Sequence, residues 1–384
     1  MPRVPTALLR KAYTIDPLLP ALLAPCRDLQ TARNELRWLR EHVGAVAAAR
    51  RARGGTLAKG AMLKQLVRER ASGKPLQYLL GTEYFGDLEI RCRPGVLIPR
   101  ADTAASVSRL VGLLRNAQKL PPELRVMDLC TGTGCIPLLF QHEFGKARDD
   151  IDVRALGVDI SNTALALAYH NLKRTRKNED FAGNGEISFL NADVLMNPFE
   201  PLTGGPLALK IAMNYEWLPP FWDIVISNPP YISPQAYWKT TTRSVRGFEP
   251  KLALVPPPVS QSKQTDDEQG DVFYPHLLNV AQDFEAKIVL LEVADLEQAL
   301  RVARLAEKLD LFDGVEIWRE QPDANPEEPL QQDGIDIVGT GNGRSVLCWR
   351  DVGTTWLNKP VGQPAKQGKE AYWKEFVWPK PSDA

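Results

Sequence analysis

The stretch "RVMDLCTGTGC", residues 125 to 135, decides how the rest of the chain is read. A short apolar run carries a carboxylate at Asp128 and passes at once into Thr131, Gly132 and Gly134, which open a segment of helical length. Glycines directly after a strand allow a tight turn and a close backbone approach, and the helix that follows offers free N–H groups to whatever sits there. Six further apolar runs follow: "VRALGVDI", "ISFLNADV", "FWDIVIS", "AKIVLLEVA", "GVEIWRE" and "SVLCWRD". The first few alternate with helix-like stretches such as "NTALALAYHNLKR", 162 to 174. This is the grammar of a doubly wound, mainly parallel, Rossmann-like α/β sheet, with last strands that show no clear intervening helix.

Composition narrows the class. At 384 residues and 44% hydrophobic, the chain can bury a large core and has room for more than one domain. No apolar run approaches the roughly 18 residues of a membrane span, so no membrane partner is expected. Five scattered cysteines without a Cys-x-x-Cys pair, and only four histidines, support neither a disulfide framework nor a structural zinc site. A reducing compartment follows. The net charge of zero hides an asymmetry: residues 1 to 75 hold fifteen Lys/Arg against five acids, leaving an equal acidic excess for the remainder. That front module is either a solvated helical face or a surface for an acidic partner or nucleic acid.

The module reads as a small helical bundle. "DLQTARNELRWLREHV" places Leu29, Leu36, Leu39 and Val43 at helical spacing, and "LAKGAMLKQLVRERASG" repeats the pattern before Gly73 and Pro75. "EYFGDLEIRCRPGVLIPR", 83 to 100, has strand residues on both sides of an Arg-Pro-Gly turn signal and predicts a connecting β-hairpin. The expected organisation is a helical domain over 1–80, a hairpin linker over 81–100, a catalytic α/β domain over 101–351 and an extension over 352–384. Segments 173–186, 200–220 and 256–271 read as surface insertions or flexible loops, and the tail after Asp351 as loosely packed.

Ligands of such sheets sit beyond the carboxyl ends of the strands near the switch point. Three strand ends there are acidic. Asp128 ends the first, Asp159 the second and Asp193 the third, with Ile160 and Val194 beside the last two. Asp159 is placed to accept both hydrogens of a ribose diol, and Asp193 the amino group of an adenine. A nicotinamide dinucleotide is disfavoured because the loop lacks the G-x-G-x-x-G spacing. The fourth strand runs into "NPPYI", 228 to 232. Pro229 and Pro230 lack N–H groups, so this corner offers carbonyl acceptors with little competition from donors. Asn228 adds a side-chain carbonyl and Tyr231 a flat face for stacking, its hydroxyl being assigned no part. The corner is suited to hold a planar NH2 group by its two hydrogens while the nitrogen faces an electrophile.

These motifs together resemble the class I S-adenosylmethionine methyltransferases of planar nitrogens. Within them the chain is similar to the HemK/PrmC release factor glutamine methyltransferases, in their mitochondrial, fungal-type branch. "GKPLQYLLGTEYFG", "PGVLIPRADT", "NPPYI" and "GFEPKLAL" are that family's hallmarks in that family's order, and the likeness covers about residues 5 to 350. The resemblance implies S-adenosyl-L-methionine as cofactor and, as substrate, the glutamine amide of the Gly-Gly-Gln loop of a peptide-chain release factor. It implies that Asn228 and the Pro229 carbonyl hold the NH2 group, that Tyr231 packs on it, and that Asp128, Thr131, Gly132 and Gly134 line the methionine part of the cofactor. Arg100 and Thr103 should border the cleft, Glu249 should support it, and the helical domain should grip the release factor. Cys130 departs from the family's glycine, and "PRADTA" from its more acidic segment; Cys130 reads as a small buried side chain rather than a reactive thiol.

An amide nitrogen becomes acidic on alkylation, so positioning without a strong base or a metal is the expected mechanism. The principal rival is an N6-adenine methyltransferase of DNA or RNA, whose amino group fits the same corner; a catalytically silent binding scaffold is a third reading. The "GFEP" and "IPR" segments favour the protein substrate. A monomer is expected, and the basic start "MPRVPTALLRKAY" points to mitochondria, with the cytoplasm as the alternative.

Overall fold

The computed structural model describes residues 4–197, 205–258, 265–325 and 330–360. Five helices come first: α1 (Thr6–Ile15), α2 (Leu19–Cys26), α3 (Leu29–Ala52), α4 (Lys59–Ala71) and α5 (Leu76–Leu80). Asp28 caps α3 by accepting from the Thr31 amide at 2.8 Å, satisfying one of the helix's orphan donors. Leu36, Leu39 and Val43 then fall on one face and pack with Leu22, Leu23, Leu66 and Val67. Glu35 is buried in this bundle and takes a two-pronged contact from Arg70, at 2.7 Å to Nε and 2.9 Å to Nη2. Arg50, Arg51 and Arg53 at the far end of α3 are exposed.

The hairpin is present but turns elsewhere than expected. Strands β1 (Thr82–Phe85) and β2 (Leu88–Arg91) pair with Phe85 opposite Leu88, so the turn is Gly86–Asp87 and not Arg93–Gly95. Gly86 has φ 56°, the left-handed conformation that a two-residue hairpin loop needs and glycine adopts without penalty. The Arg-Pro-Gly segment instead leads the chain onto the wall of the cleft described below.

The remainder runs α6 (Ala101–Leu114), β3 (Glu123–Leu129), α7 (Cys135–Ala147), β4 (Asp152–Asp159), α8 (Asn162–Thr175), β5 (Ile187–Asn191), α9 (Leu209–Tyr215), β6 (Ile224–Ser227), α10 (Pro234–Lys239), α11 (Arg243–Phe248), α12 (Asp266–Gly270), α13 (Phe273–Asp283), β7 (Ile288–Glu292), α14 (Leu296–Lys308), β8 (Gly314–Gln321), β9 (Leu330–Gln332), β10 (Ile335–Val338), β11 (Thr340–Trp349) and α15 (Val352–Trp356). Among the described residues, nine strands form one sheet in the order β5-β4-β3-β6-β7-β11-β8-β10-β9. The five strands β3 to β7 are mutually parallel, and β11 inserts antiparallel between β7 and β8. The order reverses at β3, whose neighbours are β4 and β6. Leu129, Val158, Ser227 and Leu291 lie level across those strands, which sets Asp159, Asn228 and Glu292 along one edge.

Apolar layers cover both faces of the sheet, one around Phe140, Phe144 and Trp318, the other around Trp222, Tyr274 and Leu277. Each such side chain taken fully out of water contributes about 1.5–3 kcal/mol.

Three expectations change or narrow. A clear helix does separate β7 from β8: α14, capped by Asp295 and burying Ala299, Leu300, Val302, Ala303 and Ala306. Its charged outer face masks the apolar stripe in a linear reading. The segment 173–186 lies largely on the surface, as an insertion would, but it begins inside α8, which runs through Thr175, and is anchored where Phe181 stacks on His142 and Gln141 Nε2 donates to the Asn184 carbonyl. The break expected at Asp351 falls one residue before α15, whose Trp356 and the following Leu357 are buried in the core. Parts of the expected loops 200–220 and 256–271, and the tail from 361, lie outside the described residues.

Candidate active site

The edge formed by β3, β4, β5 and β6 floors a cleft of about 1220 Å³, part of it open solvent. Its walls include Arg100, Thr103, Thr131, Gly132, Asp159, Ile160, Asp193, Val194, Asn228 and Pro230, all singled out in the sequence. Leu97, Ile98, Pro250 and Leu252, which were not, line it as well.

The glycine-rich loop is built as its residues require. Gly132 has φ 55°, and the space where a Cβ would stand is empty, so a ligand can approach its backbone. Gly134 has φ 75° and caps α7, but a Cβ there would meet Phe189 and Ala168 at 2.9 and 3.0 Å. Gly134 therefore serves the packing of α7 and does not line the cleft. Asp128 is likewise placed differently from expectation: it is fully buried beneath the loop, and its Oδ2 accepts from the Thr131 hydroxyl at 2.5 Å. Burial pushes its carboxyl well above the ordinary value. It ties the loop down from below.

Cys130 has φ 66°, a conformation that disfavours every side chain. Expected as a small buried side chain, Cys130 is only half-buried and lines the cleft; burial and the neighbouring Asp159 and Asp128 push its thiol well above the ordinary value, which disfavours the thiolate. Cys130→Gly is expected to leave stability within about 1 kcal/mol of the parent, since relief of the left-handed conformation offsets the added chain entropy. Cys130→Val should lose roughly 2 kcal/mol, a branched side chain being least tolerant of positive φ. Urea denaturation checks both, and a stable valine variant would contradict the backbone argument.

Asp159 spans the loop and the next helix: Oδ2 accepts from the Gly132 amide at 2.8 Å and Oδ1 from the Ser161 amide at 2.9 Å. Burial raises its carboxyl above the ordinary value while the amides of Ser161, Gly132 and Ile160 hold it down. Each oxygen keeps a further lone pair toward the cleft. Asp193 accepts from the Leu195 amide through Oδ1 at 2.8 Å.

The Asn-Pro-Pro-Tyr corner follows β6. Asn228 Nδ2 donates to Thr103 Oγ1 at 3.2 Å, and no donor among the described residues reaches the Pro229 carbonyl. Pro229 and Tyr231 stand behind the wall, and Tyr231 packs on the core. Its hydroxyl, given no part by the sequence reading, donates to Glu292 Oε1 at 3.1 Å. Its own carbonyl accepts from Gln298 Nε2 at 3.2 Å. Arg100 Nη2 reaches both oxygens of buried Glu249 at 2.9 Å, and Glu249 also accepts from the Ile98 amide at 3.2 Å. Glu249 thus holds the wall from outside the cleft. A continuous chain of hydrogen bonds links Asn228, Thr103, Glu292 and Tyr231. Glu292 is the residue missed in the sequence; the signal was available, a carboxylate at the end of the buried run "IVLLE".

Chemically, the site offers acceptors at both ends of an open cleft: carboxylates after β4 and β5, and the side-chain amide of Asn228 after β6. Among the described residues, no three His, Cys, Asp or Glu side chains are grouped to hold a metal ion, and no helix is long and apolar enough to cross a membrane.

Comparison with known proteins decides the family. The chain is 32% identical over 257 residues to the mitochondrial MRF1 N(5)-glutamine methyltransferase MTQ1 of Saccharomyces cerevisiae, covering 66% of this chain and 68% of that one. It is 33% identical over 256 residues to the probable MRF1 mitochondrial N(5)-glutamine methyltransferase of Schizosaccharomyces pombe, covering 66% and 73%. The chain belongs to the release factor glutamine methyltransferase family. A bacterial member, the release factor glutamine methyltransferase of Chlorobaculum tepidum, is 33% identical over 195 residues, covering 50% of this chain and 55% of that one. No family model matches. Among solved structures, the N-terminal domain of human METTL16 in complex with SAH is 16% identical with a TM-score of 0.38, covering 75% and 83%. A putative class I S-adenosylmethionine-dependent methyltransferase from Listeria monocytogenes is 13% identical with a TM-score of 0.37, covering 91% and 90%. Likenesses this loose carry no argument about the site. In this family member the strand order and the acidic strand ends rest on its own geometry.

Proposed function

We propose that this enzyme transfers a methyl group from S-adenosylmethionine to the side-chain amide nitrogen of the glutamine in the Gly-Gly-Gln loop of a peptide-chain release factor. The observation that carries the reading is the Asn228 amide: Asn228 lines the cleft and its NH2 end is taken by Thr103, which leaves its side-chain oxygen without a donor among the described residues, next along the chain to a Pro229 carbonyl that likewise has none. Two acceptors at one corner match the two hydrogens of a primary amide.

The residues of the floor fit the cofactor. The empty space over Gly132 admits a close approach, the free lone pairs of Asp159 suit a ribose diol, and Ile160 and Val194 give an apolar wall for a base whose amino group Asp193 would accept. When bound, S-adenosylmethionine supplies an electrophilic methyl group on a positively charged sulfur. The protein's part is positioning. Asn228 and Pro229 would hold both N–H bonds of the glutamine so that its nitrogen faces the cofactor end of the cleft, and their oxygens would favour the positive charge that grows on nitrogen. Alkylation makes that nitrogen acidic, so the proton leaves to solvent without a dedicated base. Arg100, fixed by Glu249, would border the entrance.

The two yeast relatives carry mitochondrial names, and we place this enzyme in mitochondria, acting as a monomer on the release factor there and not on nucleic acid. Residues 1–80 are proposed as the release-factor grip, with exposed Arg50, Arg51 and Arg53 offering charge to an acidic surface. Mass spectrometry of a release factor incubated with enzyme and S-adenosylmethionine should locate one added methyl on the Gly-Gly-Gln peptide. Parallel incubations with DNA and RNA should yield no methyladenine; methylated nucleic acid with an unmodified peptide would mean that the same corner holds an adenine.

A further inference from the structure

We propose that Glu292 is a positioning residue that sets which way the Asn228 amide faces, acting through the Thr103 hydroxyl. The inference rests on the reading of Asn228 as the amide acceptor and assigns that acceptor its director.

Glu292 ends β7, buried at 4% exposure, and both its oxygens are used: Oε2 accepts from the Thr103 hydroxyl and Oε1 from the Tyr231 hydroxyl. A carboxylate has no hydrogen to give, so both hydroxyls must spend theirs on it. Thr103 has only one. Its remaining lone pairs can do nothing for Asn228 except accept, so the Asn228 group 3.2 Å away has to be the NH2 end. The carbonyl oxygen is thereby sent the other way, away from Thr103. Asparagine's two ends are nearly equal in shape, and packing alone would not choose between them. A proton on Glu292 reverses the logic: the carboxylic acid donates to Thr103, the Thr103 hydrogen is released toward Asn228, and the amide turns its oxygen inward to accept it. The substrate corner then presents an NH2 group to an NH2 group.

Every element around Glu292 contributes to that balance. Burial pushes its carboxyl up to about 7, while Thr103 on α6, Tyr231 after β6 and Arg344 on β11 favour the charged form and Asp102 on α6 opposes it. Asp102 itself lies 3.4 Å from Arg344. Tyr274 on α13 donates to the Glu292 backbone carbonyl at 2.9 Å, and Gln298 on α14 donates to the Tyr231 backbone carbonyl, so the backbone is tied at both residues of this contact.

The test uses the full chain, with single-turnover methyl transfer to a release factor measured from pH 5.5 to 8.5 alongside cofactor affinity. In the parent enzyme the rate should fall by about tenfold per pH unit below the Glu292 titration. Glu292→Gln can still take the Thr103 hydrogen on its carbonyl while its NH2 donates to Tyr231, so it should keep a rate within about tenfold of the parent at pH 8 but lose the acidic limb; Glu292→Leu, which has no acceptor, should slow transfer by on the order of 10²-fold, leave cofactor affinity within about twofold and show no limb. Thr103→Val should behave likewise, and Thr103→Ser, which keeps the hydroxyl, should restore both rate and limb. The Asn228 side-chain NH2 resonances should shift with a single titration in the parent and not in Glu292→Gln, a readout that needs no substrate. An unchanged acidic limb in Glu292→Gln, a loss confined to cofactor affinity, or Asn228 resonances indifferent to pH would overturn the proposal. A parent enzyme that titrates at Asn228 yet methylates no release factor would sink the functional reading and leave the orienting chain standing.

Discussion

Asn228→Ala is expected to slow methyl transfer by on the order of 10²- to 10³-fold while leaving cofactor affinity nearly unchanged. Its side-chain oxygen is one of two acceptors for the glutamine NH2, and it is preorganised: β6 fixes the backbone, Pro229 and Pro230 stiffen the corner, and Thr103 holds the other end of the amide at 3.2 Å. A contact that strengthens as charge grows on the reacting nitrogen lowers the barrier rather than the ground state. Removing it should therefore appear in kcat and not in KM alone. Asn228→Asp makes a sharp companion. Its carboxylate cannot donate to Thr103 and would sit next to buried Glu292, so it should be no better than alanine despite keeping an acceptor oxygen. Rapid-quench transfer to release factor, with calorimetry of the cofactor, separates the cases. A variant that loses affinity but transfers at the parent rate once saturated would place Asn228 in the cofactor site instead.

Asp159→Ala should weaken cofactor binding by on the order of 10²-fold, the loss of charge-assisted hydrogen bonds to two hydroxyls costing roughly 1.5–3 kcal/mol each at most partially recovered by water. The same substitution releases the Gly132 amide, which Asp159 holds at 2.8 Å, so the glycine loop loses its anchor along with the ribose its acceptor. Asp159→Asn can still accept from one of the two amides it now serves and should fall between parent and alanine. The pH dependence has a defined sign. Burial raises the Asp159 carboxyl above its ordinary value, so affinity should fall on acidification at a higher pH than an unperturbed aspartate would show. Calorimetric affinities equal to the parent's, at neutral pH, would remove the ribose assignment.

Sequence alone determined the parts of this enzyme whose causes lie within a few residues of one another. The runs "RVMDLC", "VRALGVDI", "ISFLNADV" and "DIVIS" are buried strands because they are apolar for strand length and end at turn residues. Asp159, Asp193 and Asn228 are found by position at those ends, and the Asn-Pro-Pro corner by the absence of two amide donors. The hairpin was legible in kind but not in register. Gly86 and Gly95 both adopt positive φ, at 56° and 92°, and only the pairing of Phe85 with Leu88 shows which of them turns the strand. Helix α14 was hidden by its charged face, and the Tyr231 hydroxyl by the attention its ring draws. What only the tertiary structure decided is the orientation of the site. Thr103 and Glu292 are 189 residues apart, and Asn228 and Thr103 125 apart, so their hydrogen bonds exist only once α6, β6 and β7 are packed side by side. Local spacing specifies where a side chain stands on its strand; which partner takes its proton is settled by neighbours that the fold, and not the chain order, brings to it.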